Sequence, residues 1–236
     1  MYGWRARIGL ILPAANATME PDFYKMSPEG VIVHSTRMMS GPTLQDYARM
    51  YDKVEEPARL LKPIEPSVIA FGCTTGSFAG GIGWDEKMIE KIGSVAGAPA
   101  TTTATASVKA LQEMGLKNIS VATPYVEEIN ICLEKFLRAS GFNVVNIECT
   151  RVRSQPNKIP PGEVYEFSKK VCRPNADGLF ISCTDFRPLG VIERLEKDLG
   201  KPVVTSNQAT MWEVLRIARL PEPIEGFGEL LRRPRK

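Results

Sequence analysis

Short apolar runs alternate with amphipathic helical patterns along most of the chain. Apolar runs bounded by turn residues are typical of buried strands, whereas apolar residues spaced three and four apart are typical of helices. The runs predict strands at 7–12, 31–36, 67–71, 118–122, 143–148, 178–182 and 202–204, with a short strand or loop at 99–103. The spacing predicts helices at 18–24, 43–61, 84–95, 104–114, 126–140, 162–171, 189–199 and 209–220. This alternation predicts an α/β fold with parallel sheets and helices on both faces.

The order of elements repeats once along the chain. Pro13 and Cys73 are 60 positions apart, and Pro124 and Cys183 are 59 positions apart. Each interval has the pattern strand, helix, strand, helix, strand. Because ligands of open parallel sheets bind beyond the carboxyl ends of the strands, we expect the strand ends at Cys73 and Cys183 to face each other across a cleft.

The repeat predicts two intertwined halves. The first half comprises 1–115 together with the C-terminal segment 205–236, and the second comprises 116–204. A chain of 236 residues is long enough for either one large α/β domain or two smaller ones, so length alone does not decide between them.

Composition narrows the class of protein. Hydrophobic residues make up 43% of the chain, charged residues make up 24%, and the formal charge is +3, all of which is typical of a globular protein. The basic tail 231–236 lacks a basic stripe with interleaved aromatic residues, which argues against a nucleic-acid partner. The segment 1–7 is too short and polar for a signal peptide, and no run of about 18 apolar residues predicts a membrane span. We therefore expect a cytoplasmic protein that binds neither nucleic acid nor membranes.

The five cysteines fall into two groups. Their odd number and the lack of any Cys-x-x-Cys spacing favour reduced thiols over a disulfide framework or a zinc site. Cys73 and Cys183 each end an apolar run and each precede a threonine. The others lie within helix or strand patterns, where cysteine usually behaves as a small buried hydrophobe, and they are Cys132, Cys149 and Cys172.

Two facing thiols can act on the opposite faces of a planar carbon atom held between them. One attacks or deprotonates one face, and the other protonates the opposite face. A free thiol has a pKa of about 8.5, and we expect the N–H groups and hydroxyls after each cysteine to lower it and to bind a substrate carboxylate. Small polar residues of this type follow both cysteines, namely Thr74, Thr75, Gly76, Ser77 and Thr184. The pair predicts a racemase or an isomerase.

Other polar residues have structural as well as functional interpretations. Asn16 and Tyr125 occupy comparable strand-to-helix turns in the two halves, where Asn16 also suits a helix cap and Tyr125 a half-buried core position. The single histidine, His34, lies late in a strand and is interpreted as structural, which disfavours most Cys-His schemes. The glycines of 80–83 do not open a helix directly after a strand, and no GxxxxGK loop occurs. We predict no cofactor and no metal.

At these residues the sequence resembles the aspartate/glutamate racemase superfamily, and within it the branch of maleate cis-trans isomerases and arylmalonate decarboxylases. Five blocks in order carry the resemblance over nearly the whole chain: LPAANATME at 12–20, HSTR at 34–37, GCTTGSF at 72–78, TPY at 123–125 and SCT at 182–184. The resemblance implies two pseudo-symmetric Rossmann-like halves, each a mainly parallel sheet flanked by helices, with the active site in the cleft between them. It also implies a homo-oligomer, either a dimer or a tetramer.

The resemblance implies roles for individual residues. In maleate isomerases the cysteine that matches Cys73 is the nucleophile that adds to the alkene, and the one that matches Cys183 protonates the neighbouring carbon. Arylmalonate decarboxylases keep only the second cysteine, so the presence of both favours an isomerase or a racemase. Substrate contacts are implied for the residues that match the family's binding positions, which are Asn16, Thr74, Thr75, Tyr125 and Thr184.

The first hypothesis is therefore a cofactor-independent isomerase of a small carboxylic acid, of the maleate isomerase type. The alternatives are a two-base racemase, a decarboxylase-like enzyme that uses Cys183, and a small-acid-binding or redox-sensing protein without catalysis. The loop 151–161 lacks the Asp-Asn and Gly-Arg features that the resemblance leads us to expect before Pro-Pro. We expect that a carboxylate-binding asparagine is missing from this loop, that the substrate differs from maleate, and that the arginines of the loop recognise another acid group.

Overall fold

The computed structural model describes residues 2–150 and 155–235, which form two four-stranded parallel sheets. The first sheet has the order β2-β1-β3-β4 and consists of β1 (Ala6–Pro13), β2 (Val31–Met38), β3 (Val68–Phe71) and β4 (Ala100–Thr102). The second has the order β6-β5-β7-β8 and consists of β5 (Asn118–Thr123), β6 (Asn143–Cys149), β7 (Gly178–Ile181) and β8 (Val203–Thr205). The same strand order in both sheets confirms the predicted pair of α/β halves.

Helices connect the strands in both halves. Those of the first half are α1 (Met19–Met26), α2 (Leu44–Ala48), α3 (Met50–Lys53), α4 (Glu55–Leu61), α5 (Thr74–Phe78), α6 (Trp84–Ala96) and α7 (Thr103–Glu113). Those that follow are α8 (Glu127–Ala139), α9 (Pro161–Val171), α10 (Ile192–Leu199), α11 (Ser206–Ile217) and α12 (Glu229–Arg232). Within the described ranges, no helix is long and apolar enough to cross a membrane.

Three local predictions differ from the structure. The helix expected at 43–61 is divided into α2, α3 and α4, and the break before α4 is due to Pro57, which has no N–H to donate and fits only the first turn of a new helix. The loop expected after β3 contains α5, which begins directly after Cys73. The last long helix begins at Ser206 and not at residue 209, because Thr205 and Gln208 form a capping box.

One hydrophobic core runs through both halves and includes Leu10, Val121, Phe180 and Met211. A second cluster covers the outer face of the first sheet. Helices α7 and α11, which follow the last strand of each sheet, pack against each other. The buried carboxylate of Glu213 on α11 lies 2.7 Å from Nζ of Lys109 on α7. This packing joins the two sheets, while the division of the chain near residues 115 and 204 stays a prediction.

Candidate active site

The carboxyl ends of β3 and β7 face a cavity of about 310 Å³. The two sheets contribute loops to its lining, as expected for a site beyond the carboxyl ends of parallel strands. The lining includes the two predicted catalytic cysteines and the five predicted substrate-binding residues, namely Asn16, Cys73, Thr74, Thr75, Tyr125, Cys183 and Thr184, whereas Gly76 and Ser77 lie outside it. The structure thus brings all seven together, while their roles in binding and catalysis stay predictions.

Cys73 lies at the junction of β3 and α5. Its backbone is extended, and its sulfur accepts a hydrogen bond from the Gly76 N–H at 3.3 Å, so the thiol caps the helix. A Cβ at Gly76 would lie 3.1 Å from the Phe71 ring and 3.2 Å from the Cys73 sulfur, closer than side chains normally pack. Glycine at this position therefore lets the N–H approach the sulfur.

The protonation of both thiols differs from the sequence expectation. Burial raises the pKa of Cys73 to about 12, and the backbone N–H groups of Gly76 and Thr75 offset only part of that effect. Burial likewise raises the pKa of Cys183 to about 12. The N–H groups after each cysteine do lower the thiol pKa, as expected, but the net pKa is raised because removing a charge from water outweighs those contacts to sulfur.

Cys183 follows β7 in a different conformation. Its φ of 144° lies in a region that residues with a Cβ rarely adopt, and such strain is often found at functional sites. Its N–H donates to Oγ of Ser206 at 3.0 Å, and its sulfur accepts from the Asp185 N–H at 3.4 Å. After burial and that hydrogen bond, the next influence on its pKa is the Asp185 carboxylate, which raises it further. The sulfur therefore lies in a fixed turn beside a negative charge.

Two side-chain hydrogen bonds lie at the cavity, and the second of them joins the two predicted halves. The Thr74 and Ser206 hydroxyl oxygens lie 3.2 Å apart. The Asn16 amide donates to the Thr184 hydroxyl at 3.0 Å, and its oxygen accepts from the N–H groups of Thr18 and Met19 at 3.1 and 3.0 Å. Asn16 thus orders the start of α1 and also reaches across the cleft, so the predicted turn role is confirmed alongside its place in the lining.

Tyr125 is half-buried at the turn after β5. Burial raises the pKa of its phenol well above the usual value, and the nearby sulfur of Cys183 adds to that effect. The phenol therefore stays protonated and can donate a hydrogen bond into the cavity. Its half-buried position agrees with the interpretation of Tyr125 as a core residue. Its place in the cavity lining agrees with the interpretation as a substrate-contact residue.

The lining also contains residues that the sequence analysis missed as site residues. Tyr47 on α2 is one of them: burial raises the pKa of its phenol, and the cysteine sulfurs and Asp185 add to that effect. Asp185 follows Cys183 by two residues, and its carboxylate accepts from the Asn157 amide at 2.9 Å. In the sequence, only the position of Asp185 two residues after Cys183 could have indicated a site residue, because its contact with Asn157 joins segments that are distant along the chain. Gln155 and Ser40 complete the polar lining.

The loop 151–161 adds an asparagine to the cavity, and both expectations for the loop stay predictions. An asparagine of this loop, Asn157, does line the cavity, where its amide already binds the Asp185 carboxylate. The expected role of the arginines at 151 and 153 lies outside the described residues. The structure therefore places Asn157 at the cavity on the chain's own carboxylate, and the absence of a substrate-binding asparagine from this loop stays a prediction.

Residues interpreted as structural lie outside this cavity. His34 is half-buried on β2 and is not part of the lining. Cys132 and Cys172 are partly buried, whereas Cys149 at the end of β6 is exposed, so the prediction of a buried Cys149 is wrong. In the part of the chain that the structure describes, no group of three or more His, Cys, Asp or Glu side chains could hold a metal ion.

Comparisons with known proteins agree on one family. The family model described as arylmalonate decarboxylase matches residues 8–231. The maleate isomerase of Geobacillus stearothermophilus is 26% identical over 242 residues, covering 95% of this chain and 96% of that protein. The arylmalonate decarboxylase of Bordetella bronchiseptica is 25% identical over 216 residues, covering 89% and 90%. Both activities of the branch thus occur among the similar proteins.

Solved structures agree with the sequence comparisons. A cysteine-to-alanine variant of the maleate isomerase of Pseudomonas putida S16, solved with maleate, aligns with a TM-score of 0.91 at 24% identity, covering 96% of this chain and 97% of that chain. A cysteine-to-serine variant of the Nocardia farcinica enzyme, which holds a covalent succinylcysteine intermediate, aligns with a TM-score of 0.90 at 24% identity, covering 96% and 98%. These likenesses show a shared fold. Because the family model spans nearly the whole sequence, the chain belongs to the arylmalonate decarboxylase family.

Proposed function

We propose that this chain is a cofactor-independent isomerase that interconverts the cis and trans forms of a small unsaturated carboxylic acid. The observation that carries the proposal is the pair of thiols, Cys73 and Cys183, on the lining of one cavity among hydroxyl and amide donors. Maleate isomerases of similar length at 26% and 27% identity support it. Decarboxylases of the branch keep only the second thiol, so the Cys73 sulfur favours isomerisation.

In the proposed reaction, the Cys73 sulfur adds to one carbon of the double bond after its proton has passed to solvent. The C–S bond forms, and the π electrons move to the neighbouring carbon, where the adjacent carboxylate delocalises the charge. The Cys183 thiol donates its proton to that carbon. The bond between the two carbons, now single, rotates. The Cys183 thiolate then removes the proton, the double bond re-forms in the trans geometry, and the C–S bond breaks.

The remaining predicted residues bind and orient the acid in this proposal. The hydroxyls of Thr74, Thr75 and Tyr125 lie on the lining around Cys73 and can donate to a carboxylate. Asn16 and Thr184 are bonded to each other across the cleft, so they order the turns that carry the two thiols. Neutral donors of this kind stabilise the charge that develops on the carboxylate during addition.

The proposal is tested with Cys73→Ala and Cys183→Ala, using proton NMR to follow the alkene geometry of maleate and other small unsaturated acids. We expect each variant to lose turnover by at least about 100-fold, the usual contribution of one reacting group. Cys132→Ala is the matched control, because that thiol lies outside the cavity, and it should retain turnover. Full activity in either cavity variant would end the two-thiol mechanism.

Decarboxylation is the second candidate, favoured by the family model and by the relative from Bordetella bronchiseptica. Release of carbon dioxide from an arylmalonate, retained in Cys73→Ala and lost in Cys183→Ala, would support it over isomerisation. A two-base racemase would instead introduce solvent deuterium at the α-carbon of an amino acid, without change at an alkene. The variants therefore separate decarboxylation from isomerisation, and the deuterium measurement separates racemisation from both.

We infer further that the chain works in the cytoplasm as a homo-oligomer, either a dimer or a tetramer. All five cysteines carry free thiols, which fits a reducing compartment. Several large apolar side chains are exposed on the isolated chain, including Tyr2, Trp4 and Ile82, which fits contact with further subunits. Light scattering during size-exclusion chromatography tests the assembly, and a monomer at micromolar concentration would contradict it.

A further inference from the structure

One end of the cavity already contains a carboxylate that belongs to the chain. Asp185 lines the cavity, and its Oδ1 accepts from the Ala17 N–H at 2.8 Å. Its Oδ2 accepts from the Asn157 amide at 2.9 Å. These donors come from the turn before α1 and from the 3-10 turn Pro156–Lys158. The groups that could hold an incoming carboxylate at this end therefore already hold the side chain of Asp185.

The Asp185 carboxylate acts on the groups at which the reaction is proposed to occur. It raises the pKa of Cys183, and it also adds to the burial that raises the pKa of Tyr47. Among residues 2–150 and 155–235, no lysine or arginine lines the cavity. Burial already raises the pKa of the Asp185 carboxyl, so a second, substrate carboxylate beside it in this partly water-excluded space would make two neighbouring negative charges, which is unfavourable.

The other end of the cavity has a different character. Thr74 and Thr75 follow Cys73 and present hydroxyl groups there, and the Tyr125 phenol, which stays protonated, lies near both sulfurs. Such neutral donors can bind one carboxylate. The lining is therefore polarised, with donors near Cys73 and a negative acceptor near Cys183.

We propose that the substrate is a monocarboxylate whose far end is uncharged or donates hydrogen bonds, and that Asp185 is the residue that excludes a dicarboxylate. This inference rests on the proposed isomerase function and specifies its substrate class. The half-amide of maleate has this chemistry, because its carboxylate suits the donors near Cys73 and its amide N–H groups can donate to Asp185. Specificity for the half-amide then comes both from repulsion between Asp185 and a second carboxylate and from hydrogen bonds to the first carboxylate.

The test compares kcat/KM for maleate and for its half-amide in three forms of the protein. The unaltered chain should prefer the half-amide by at least about tenfold, which corresponds to about 1.4 kcal/mol. Asp185→Asn removes the charge and keeps the shape, so the preference should shift towards maleate by about tenfold or more. The exposed Asp52→Asn is the control for loss of one surface charge, and it should leave the ratio unchanged.

A double variant, Asp185→Asn with Asn157→Asp, separates charge from hydrogen bonding. The oxygen of the amide introduced at position 185 can still accept from the Ala17 N–H, and its NH₂ group can donate to the carboxylate introduced at position 157. The negative charge then stays at the same end of the cavity, so the double variant should regain the preference for the half-amide. Because both hydrogen bonds are restored, this variant also keeps the test valid if Asp185→Asn alone is unstable.

Preference for maleate in the unaltered chain, or an unchanged ratio in Asp185→Asn, would overturn the inference. If the unaltered chain converts neither acid, the isomerase proposal fails, and calorimetric binding of succinate and of its half-amide then tests charge selection alone. Tighter binding of the half-amide would support the role of Asp185. Equal binding, tighter binding of succinate, or no binding of either would overturn it.

Discussion

The two strand ends that carry the thiols share a topology and differ in their surroundings. Cys73 continues into α5 with an extended backbone, and its sulfur accepts from the Gly76 N–H. Cys183 has a φ of 144° and lies beside the Asp185 carboxylate, and a loop and a 3-10 turn follow it before α10 begins. A repeated architecture thus places one thiol among N–H donors and the other beside a negative charge.

The difference teaches that the two thiols are not interchangeable. Burial raises the pKa of both to about 12, so the net pKa does not distinguish them and only their partners differ. The N–H groups at Cys73 favour a thiolate, whereas the carboxylate at Cys183 favours a protonated thiol. The asymmetry supports Cys73 as the nucleophile and Cys183 as the proton donor.

The largest effect is expected in an experiment that traps the covalent adduct in serine variants of the two cysteines. With an unsaturated acid, Cys183→Ser should accumulate a covalent adduct on Cys73, because solvent can supply the proton to the neighbouring carbon whereas the neutral serine hydroxyl is too weak a base to remove it for elimination. Turnover should fall by about 10²–10⁴-fold. Cys73→Ser should lose turnover to a similar degree without any adduct, because a serine hydroxyl is a weak nucleophile. Intact-protein mass spectrometry measures the difference.

Adducts in both serine variants, or in neither, would show that the two thiols play equivalent roles. Cys132→Ser serves as the control for a cysteine outside the cavity. It should form no persistent adduct and keep its turnover.

A smaller effect is expected in thiol labelling by iodoacetamide. In the unaltered chain Cys149 should react fastest because it is exposed, and Cys73 and Cys183 should react at least about 100-fold more slowly because their pKa is raised. Asp185→Asn should speed labelling of Cys183 by roughly threefold to tenfold, the effect of losing half to one pKa unit. Labelling of Cys73 should not change.

Peptide mass spectrometry at mildly alkaline pH gives the rate at each cysteine. If Asp185→Asn speeds the labelling of Cys73 and Cys183 equally, the substitution opens the whole cavity to the reagent, and Asp185 does not act on Cys183 alone. The labelling rate of Cys149 is the internal reference, because that thiol lies outside the cavity.

The smallest expected effect compares the first residues of α7 and α11. Ser206 accepts from the Cys183 N–H at 3.0 Å, whereas Thr103 donates to the Phe71 carbonyl at 3.2 Å. Ser206→Ala leaves a buried N–H without that partner and should lower the free energy of unfolding by about 1–3 kcal/mol. Thr103→Val keeps the side-chain shape and should cost about 1 kcal/mol, because a carbonyl can accept elsewhere more readily. Urea unfolding measures both, and a larger cost at Thr103 would contradict the comparison.

Much of the fold could be predicted from the sequence because the signals are local and periodic. The apolar runs and helical spacings predicted the strand and helix order, and the two intervals that end at Cys73 and Cys183 predicted two halves. The short α5 was missed because its residues 74–78, which include Gly76, are also typical of a loop. Cys149 was predicted to be buried because strand periodicity does not reveal which strand lies at the edge of a sheet, and β6 is an edge strand.

The sequence by itself determined the α/β class, the repeat and the seven candidate residues, since each depends on periodicity or on residues next to a strand end. Only the tertiary structure decided that the thiol pKa values are raised, because burial depends on atoms from the whole chain. It also decided that Asp185 meets Asn157 and Ala17, contacts between residues far apart in sequence. The polarity of the cavity, and with it the proposed substrate class, arises from those long-range contacts.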